Sequence, residues 1–189
     1  MAFSDKIWKT RKSRINTSER LKTNDLLSQV LITYYSLFII IITIIDMNNN
    51  ELNFEILTLI LSILILVVST FIFSRNYKER SLMIQIAYIK MGKIYRKVLE
   101  KEKNNQDYSD LEEDYDDILS YTENHSECDF RQVMYEVRKN QDYKTINGEF
   151  GLQEWVSWLW CKSVKYLFVF LLFAIPIIVL LVALETVCQ

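Results

Sequence analysis

The chain has 189 residues, of which 24 are acidic and 22 basic, and half of all its residues are hydrophobic. Its net charge of −2 argues against a nucleic-acid-binding protein, which usually presents a basic surface. Cys128, Cys161 and Cys188 are too few and too scattered for a disulfide framework or a zinc site. Cys128 and Cys161 are expected to be small buried or half-buried residues, and we assign them no chemistry. With three Gly and one Pro, the chain is expected to be mostly helical.

The first 25 residues form a basic segment ahead of the first apolar run, and Lys6–Lys22 carries its basic residues. Such a charged stretch is not expected to be a cleavable signal peptide. Four of its residues are spaced so that they share one side of a helix. They are Trp8, Arg11, Ile15 and Lys22. Residues 1–25 are therefore predicted to form a basic amphipathic helix that lies along the anionic cytoplasmic leaflet.

Two apolar runs follow, separated only by the short loop Asp46–Glu55. Leu26–Ile45 holds 20 residues and Ile56–Phe73 holds 18, and neither run contains Asp, Glu, Lys or Arg. Helices of these lengths would be roughly 30 and 27 Å long, close to the thickness of the hydrocarbon core of a bilayer. Residues 26–73 are thus predicted to form a transmembrane hairpin. Two buried helices of a soluble core are the alternative, but a chain this short could hardly cover them.

No turn signal follows the second apolar run, so its helix is predicted to continue into a cytoplasmic helical region over residues 74–163. Asn104 and Asn105 look like a turn, and the charge changes there from basic to acidic. Each side of this turn carries an apolar stripe at helical spacing. The stripes are Met83, Ala87, Met91, Ile94 and Val98, then Leu111, Tyr115, Ile118 and Leu119. Two arms of opposite charge predict an antiparallel helical hairpin.

Two groups of polar residues in this region could carry chemistry. Four carboxylates could bind Mg²⁺ or Ca²⁺, although a run of charges more often forms ion pairs or a solvated face. They are Asp110, Glu113, Asp114 and Asp117. His125 is the only histidine, and nothing in the sequence supplies a partner for catalysis. Asn124, His125 and Ser126 fit better as a polar turn, with Ser126 or Asp129 as the N-cap of a helix that begins near Asp129.

A third uncharged run, Tyr166–Leu184, predicts a third transmembrane helix within residues 164–189, with a short external tail. Aromatic and basic residues just before it are typical of the inner membrane interface. They are Trp155, Trp158, Trp160, Lys162 and Lys165. Pro176 should either kink this helix or require a neighbouring helix to satisfy the freed carbonyl.

Lysine and arginine are distributed unevenly around the three runs. Seven of the 22 basic residues precede Leu26, thirteen lie between Ser74 and Lys144, and none lies in the loop 46–55 or after Leu184. The positive-inside rule therefore predicts a cytoplasmic N-terminus and central region and an external C-terminus.

Hydroxyl side chains form one stripe on each helix of the predicted hairpin, and each stripe ends in an external carboxylate. The residues are Thr33, Ser36, Thr43 and Asp46 on the first helix, and Glu55, Thr58, Ser62 and Ser69 on the second. Such stripes are usually packing faces that let helices approach closely. The alternative is that, in an oligomer, one stripe lines a conduit and the acids form a ring that favours cations.

Two short motifs around this membrane pattern carry a family resemblance. The first is Trp8-x-x-Arg11-x-x-Arg14 followed by Glu19-Arg20-Leu21, and the second runs from Tyr115 through Glu123-Asn124-His125-Ser126 to Asp129-Phe130. The chain resembles the SLATT family, two-transmembrane domains associated with SMODS nucleotidyltransferases and SLOG nucleotide-sensing domains. The third run makes it more similar to the subgroup with an added C-terminal helix. The resemblance gives the motif residues a structural or gating role. They are Trp8, Arg11, Arg14, Arg20, Asn124, His125, Ser126 and Asp129.

The resemblance implies an effector of bacterial conflict systems that breaches the inner membrane when a partner or a nucleotide signal triggers it. We therefore expect an all-α protein of the bacterial inner membrane, not an enzyme, that needs no cofactor or metal and contacts the lipid bilayer. It is expected to form a homo-oligomer, to respond to a separately encoded sensor, nucleotide-signal or reverse-transcriptase component, and not to bind nucleic acid directly. A membrane scaffold that recruits a cytoplasmic partner, or a constitutive small channel or transporter subunit, are the alternatives.

Overall fold

The computed structural model describes residues 2–48, 54–139 and 152–187. These ranges form six helices, α1 (Phe3–Asn48), α2 (Glu55–Ser74), α3 (Tyr77–Lys103), α4 (Ser109–Ser120), α5 (Glu127–Lys139) and α6 (Leu152–Val187). They contain no strand, so the prediction of an all-α fold is confirmed. Helices α1, α2 and α6 each include a segment that is long and apolar enough to cross a membrane.

The chain divides into two compact units. The helical unit consists of Met1–Thr23 and Lys78–Lys162, and the apolar unit consists of Asn24–Tyr77 and Ser163–Gln189. Helix α1 therefore begins in the helical unit and continues through the first apolar run, and α6 likewise contributes to both units.

The core of the helical unit lies between α1, α3 and α4, and α3 and α4 form the predicted hairpin. Eight buried side chains make up this core. They are Ile7, Ala87, Met91, Ile94, Val98, Leu111, Tyr115 and Ile118. Asn105 turns the chain with a φ of 48°, a left-handed conformation that asparagine tolerates better than most residues. The predicted stripe on α3 is wrong at one position, because Met83 is 56% exposed and Ile84 is buried instead.

The first turns of α1 pack inside the helical unit. Ile7 and Leu21 are almost completely buried, and the same face buries small hydroxyl side chains such as Ser13 and Ser18. The expectation that this segment lies on the membrane surface is wrong for that face, because the face is covered by protein. Trp8 and Arg11 are half-buried, whereas Lys22 is exposed. The residues that were predicted to share one side of the helix are therefore not the residues of its buried face.

The sequence predicted that the helix of the second apolar run continues unbroken into the cytoplasmic region, and this prediction is wrong. Helix α2 ends at Ser74, and α3 begins at Tyr77. Asn76 between them has a φ of 48°. Because a residue in this left-handed conformation cannot continue a right-handed helix, the two helices are separate elements. The signal in the sequence is a single asparagine, which is weaker than glycine or proline.

In the apolar unit, α1, α2 and α6 meet around a small core. Phe38 and Ile42 are buried there and pack against Phe54, Leu61 and Leu180. No residue of α2 is buried, and most of its large apolar side chains are 41% to 83% exposed. An unpartnered apolar surface of this extent is what a lipid environment accommodates and water does not.

Pro176 lies within α6, which remains helical on both sides of it. A proline has no N–H for the carbonyl four residues earlier, which here belongs to Leu172. Tyr35 donates its hydroxyl hydrogen to that carbonyl at 2.8 Å, and Tyr34 donates to the carbonyl of Phe173 at 3.0 Å. Of the two outcomes that the sequence predicted for the proline, satisfaction by a neighbouring helix is confirmed.

Candidate functional site

Helix α1 and the connection between α4 and α5 meet at a cluster of polar side chains, here called the polar junction. It comprises Arg14, Thr17, Arg20, Thr122, Glu123, Ser126 and Asp129. Its centre is Asp129, which is 5% exposed. Arg20 donates from Nε to both carboxylate oxygens, at 3.0 and 3.2 Å, and from Nη2 to Oδ2 at 3.0 Å. This forked pairing joins residues that are 109 positions apart.

Two hydroxyl groups complete the binding of the Asp129 carboxylate. Thr17 on α1 donates to Oδ2 at 2.9 Å, and Ser126 donates to the same oxygen at 2.7 Å. Ser126 Oγ in turn accepts the backbone N–H of Asp129 at 3.3 Å, and Oδ2 accepts the N–H of Ser126 at 3.2 Å. This reciprocal pattern is a capping box. Ser126 is therefore the N-cap, and α5 begins at Glu127.

The pKa of the Asp129 carboxyl reflects two opposing influences. Burial alone raises this pKa, whereas the hydrogen bonds from Arg20, Ser126 and Thr17 stabilise the charged form. The bonds and the charge of Arg20 outweigh burial, so the pKa lies below its usual value of 3.8. Asp129 is therefore ionised at neutral pH and is an anionic anchor for α1.

Arg14 forms the second connection of the polar junction and is only 2% exposed. Its Nη1 donates to the carbonyl of Glu123 at 3.1 Å and to the hydroxyl of Thr122. The Glu123 carboxylate accepts hydrogen bonds from Arg80 on α3, at 2.9 and 2.7 Å. Burial lowers the pKa of Arg14, but guanidinium groups titrate so far above neutrality that Arg14 keeps its charge.

His125 lies beside this junction in the turn that the sequence predicted. Its backbone N–H donates to Asn124 Oδ1 at 2.9 Å, and its ring centre lies 5.8 Å from that of Phe130. Burial, and then the positive charge of Arg14, lower the pKa of His125 and favour the neutral ring. Within the described residues, His125 Nδ1 and Arg14 Nε are buried atoms without a hydrogen-bond partner.

Another motif residue of α1, Arg11, contacts α3. Arg11 donates from Nε to the carbonyl of Tyr88 at 3.3 Å and passes directly over Gly92. A Cβ at Gly92 would lie 3.0 Å from Arg11 Nε, so the absent side chain makes room for the guanidinium group. About two turns further along the bundle, Ser18 and Ser81 exchange hydrogen bonds with each other's hydroxyl and carbonyl groups at 3.0 to 3.2 Å.

The two sequence motifs therefore meet in space. Arg14 and Arg20 from the first motif bind Glu123 and Asp129 from the second. This arrangement fixes α1 to the start of α5 through charge-assisted hydrogen bonds, which are stronger than neutral ones. Sequence reasoning missed the role of Thr17, since a threonine inside a helix gives no signal of a partner 112 residues away.

The acidic residues of α4 lie on its outer side. Asp110 pairs with Lys101 across the turn at 2.7 Å, which is the charge pairing that the sequence favoured. Glu113, Asp114 and Asp117 are exposed. In the described ranges, no three His, Cys, Asp or Glu side chains come together as a metal site would require.

In the apolar unit, the hydroxyl groups of both predicted stripes bond to their own helices. Six side chains donate to a carbonyl three or four residues earlier, at 2.7 to 3.1 Å. They are Thr33, Ser36, Thr43, Thr58, Ser62 and Ser69. A hydroxyl satisfied in this way can face lipid, protein or water, so its hydrogen bond does not decide between packing and a conduit.

Five of the eight predicted stripe residues line one cavity of about 440 Å³ between α1 and α2. They are Thr43, Asp46, Glu55, Thr58 and Ser62, with Met47 and Leu59 as apolar neighbours. The cavity lies at the end of the hairpin that carries both carboxylates. Asp46 also accepts the backbone N–H of Phe54 at 2.9 Å and so fixes the start of α2. Residues 49–53 of the predicted loop lie outside the described residues.

The residues predicted to form the inner-interface belt have different environments. Trp158 stacks on Tyr135 at 4.2 Å and donates its indole N–H to Gln132 at 2.8 Å. Lys162 lies over the Trp158 ring at 4.6 Å. Lys165 donates to Asn24 at 2.8 Å within the apolar unit. Trp155 and Trp160 are 43% and 71% exposed, so these two tryptophans are available to headgroups.

The structure joins two of the cysteines, contrary to the expectation that they carry no chemistry. Cys128 on α5 and Cys161 on α6 form a disulfide with a Cα–Cα distance of 6.4 Å. The cysteine count argued only against a framework of several disulfides. A single pair 33 residues apart could not be recognised from spacing. Cys188 lies outside the described residues.

Comparison with known proteins identifies a family. The family model described as SMODS and SLOG-associating 2TM effector domain family 5 matches residues 2–184. This range includes both motifs of the polar junction and the third apolar run. No curated protein and no solved structure matches the chain.

Proposed function

The chain belongs to the SMODS and SLOG-associating 2TM effector domain family 5, and from this membership we propose that it is a membrane effector of an antiviral defence system. In this proposal the protein assembles into a homo-oligomer in the bacterial inner membrane. When triggered, the oligomer opens an ion-conducting pore and depolarises the cell, which stops phage growth by abortive infection. The family and the three apolar helices already identify a membrane protein.

The cavity between α1 and α2 is the observation that best supports the proposed pore. It gathers three hydroxyl side chains and two carboxylates at one end of a hairpin whose exposed surface is mostly apolar. Repeated around an oligomer, Asp46 and Glu55 would form a ring of negative charge that attracts cations. The hydroxyl groups would give permeating ions a polar wall without a buried charge.

The helical unit is proposed to receive the trigger from a separately encoded sensor, nucleotide-signal or reverse-transcriptase component. Helix α1 supports this route, because one continuous helix carries both Arg20 of the polar junction and Thr43 of the cavity. A partner that loosened the Arg20–Asp129 pair would act on the same helix that lines the proposed path.

An apolar stripe on α3 supports self-assembly. Leu82, Met83, Ile86 and Ile89 are 49% to 56% exposed, although this helix lies beyond the apolar run of α2. Exposed apolar patches of this kind commonly mark protein or membrane contacts. We assign the stripe to contacts between copies of this chain.

The first experiment measures membrane potential in cells that express the chain with and without its neighbouring genes. Uptake of a potential-sensitive dye should report depolarisation only when the chain and its trigger are both present. Depolarisation by the chain alone would favour a constitutive channel. Unchanged polarisation under every triggering condition would contradict the effector function and favour a membrane scaffold.

A pair of variants tests the path itself. Ser62→Leu places an apolar side chain in the cavity and should abolish conductance while leaving assembly intact. Thr70→Leu is the matched control, because Thr70 is exposed on the same helix and bonds to the carbonyl of Leu66 in the same manner. Equal conductance of both variants and the parent would restore the interpretation of the stripe as a packing face.

A further inference from the structure

The disulfide lies at one end of a seam between α5 and α6 in the helical unit. Cys128, Gln132 and Tyr135 have the spacing i, i+4 and i+7 on α5, and they meet Cys161 and Trp158 on α6. Apart from the disulfide, the described contacts of this seam are a hydrogen bond of 2.8 Å and a ring stack of 4.2 Å. Contacts other than the disulfide therefore also join α5 to α6.

Each cysteine lies next to another feature of the chain, Cys128 beside the polar junction and Cys161 shortly before the apolar run of α6. Cys128 directly precedes Asp129, the centre of the polar junction, which binds Arg20 of α1. Cys161 lies five residues before Tyr166, where the apolar run of α6 begins. Oxidation thus ties the element that anchors α1 to the element that leads into the third apolar run.

Both cysteines are half-buried, so reagents of low molecular weight can reach them. The distribution of Lys and Arg predicts that this region is cytoplasmic. Disulfides in that reducing compartment are usually transient or redox-sensing, whereas structural disulfides belong to oxidising compartments. A bond found at this place is thus better explained as one state of a reversible pair.

We propose that Cys128 and Cys161 form a thiol–disulfide switch, in which oxidation clamps the start of α6 to α5 and holds the effector closed. Reduction to two thiols removes the covalent link across the seam and permits α6 to move when the trigger arrives. This regulation rests on the proposed pore function and on the predicted cytoplasmic placement. The existence of the switch as a redox pair does not depend on conductance.

The oxidant is a disulfide of low molecular weight, such as glutathione disulfide. Cys128 occupies the second position of α5. The Cys128 thiol gives its proton to water, and the thiolate attacks one sulfur of the reagent, which breaks its S–S bond and releases one thiolate. The Cys161 thiol then loses its own proton to water. The resulting thiolate attacks the Cys128 sulfur of the mixed disulfide and releases the second thiolate of the reagent. The two cysteines are oxidised by two electrons, and the reagent is reduced to two thiols.

The first test follows the thiols of the full chain in cells. In a Cys188→Ser variant, Cys128 and Cys161 are the remaining thiols that can be labelled. Cell membranes are quenched with acid to trap the redox state, and free thiols are then labelled with a maleimide that slows migration of the protein on a gel. The pair should be labelled in untreated cells and protected after treatment with diamide. Purified protein should pass between these states in one two-electron step in glutathione buffers. Protection in untreated cells would show a permanent structural bond, and labelling that diamide never removes would exclude the pair; either result overturns the proposal.

The second test measures regulation in vesicles that contain the reconstituted full chain. The oxidised protein should release an encapsulated dye at least about tenfold more slowly than the reduced protein when triggered, as expected for a cross-link that constrains motion. Cys161→Ser should release dye at the reduced rate in both buffers. Equal rates with a verified disulfide would overturn the regulatory role and leave the pore function standing.

Amide hydrogen exchange separates failure of the switch from failure of the pore. Oxidation should slow exchange in α5 and in residues 155–162 of the parent but not of Cys161→Ser. If neither redox form releases dye even when the trigger is present, the pore proposal fails, and slowed exchange still supports the clamp. Exchange that is identical in the two forms would overturn the clamp whatever the vesicles do.

Discussion

The hydroxyl of Tyr35 donates its hydrogen to the carbonyl of Leu172 at 2.8 Å. That carbonyl is the one that loses its helical partner because Pro176 has no N–H. In a lipid environment an unpaired carbonyl is costly. The proline and the tyrosine on another helix therefore compensate each other, and together they fix α1 to α6.

Tyr35→Phe should lower the free energy of unfolding by about 1 kcal/mol, since it removes this bond and little else. Pro176→Ala restores an N–H for Leu172, so the same tyrosine substitution should cost almost nothing in that background. Thermal unfolding of the four proteins in detergent measures the coupling. An equal cost in both backgrounds would mean that Tyr35 does not act through the carbonyl.

Asp129→Asn should destabilise the helical unit by about 1–3 kcal/mol at neutral pH, because Arg20 loses its charged partner. The lower end of that range applies if solvent at the partly exposed Arg20 screens the pair. Chemical denaturation monitored by circular dichroism gives the value. Asp110→Asn is the control, since its pair with Lys101 is exposed to solvent and should leave stability unchanged.

The pH dependence of the same pair has a defined sign. The pKa of Asp129 is lower in the folded protein than its usual value of 3.8, so folding favours the ionised form. The resulting stabilisation is complete above that usual value and is lost as the pH falls through the folded pKa. The parent should therefore lose more stability than Asp129→Asn as the pH is lowered below about 4. Parallel curves in that range would exclude the carboxylate as the cause.

Gly92→Leu should destabilise the packing of α1 on α3 by about 1–3 kcal/mol, because its side chain would occupy the position of the Arg11 guanidinium. Gly92→Ala should have a much smaller effect. Its gain in helix propensity of about 1 kcal/mol opposes the displacement of Arg11 from the carbonyl of Tyr88. In an Arg11→Ala background the leucine should be tolerated better. A leucine variant that is as stable as the parent would disprove the close contact.

Glu55→Gln should reduce the preference of the proposed pore for cations severalfold, because each subunit would contribute one charge fewer to the ring. Reversal potentials in asymmetric salt measure the permeability ratio. Glu79→Gln is the matched control, since Glu79 lies in the first turn of α3, outside the residues that line the cavity. The cavity has no part in selectivity if both variants keep the ratio of the parent.

Local pattern alone determined much of this protein. The three apolar runs, the hairpin of α3 and α4 and the turn at Asn105 follow from charge, periodicity and turn chemistry within a few residues. Ser126 as an N-cap is equally local, since its partner is Asp129 in the next turn. The break at Asn76 was missed because asparagine is only a weak helix breaker in sequence.

The tertiary structure decided which distant residues meet. Arg20 and Asp129 are 109 residues apart, Tyr35 and Leu172 are 137 apart, and Cys128 and Cys161 are 33 apart. A side chain carries no local signal of such a partner, because the pairing depends on how whole helices pack. For the same reason the sequence could propose two hydroxyl stripes, but only the packing of α1 and α2 brought Thr43, Thr58 and Ser62 to one cavity.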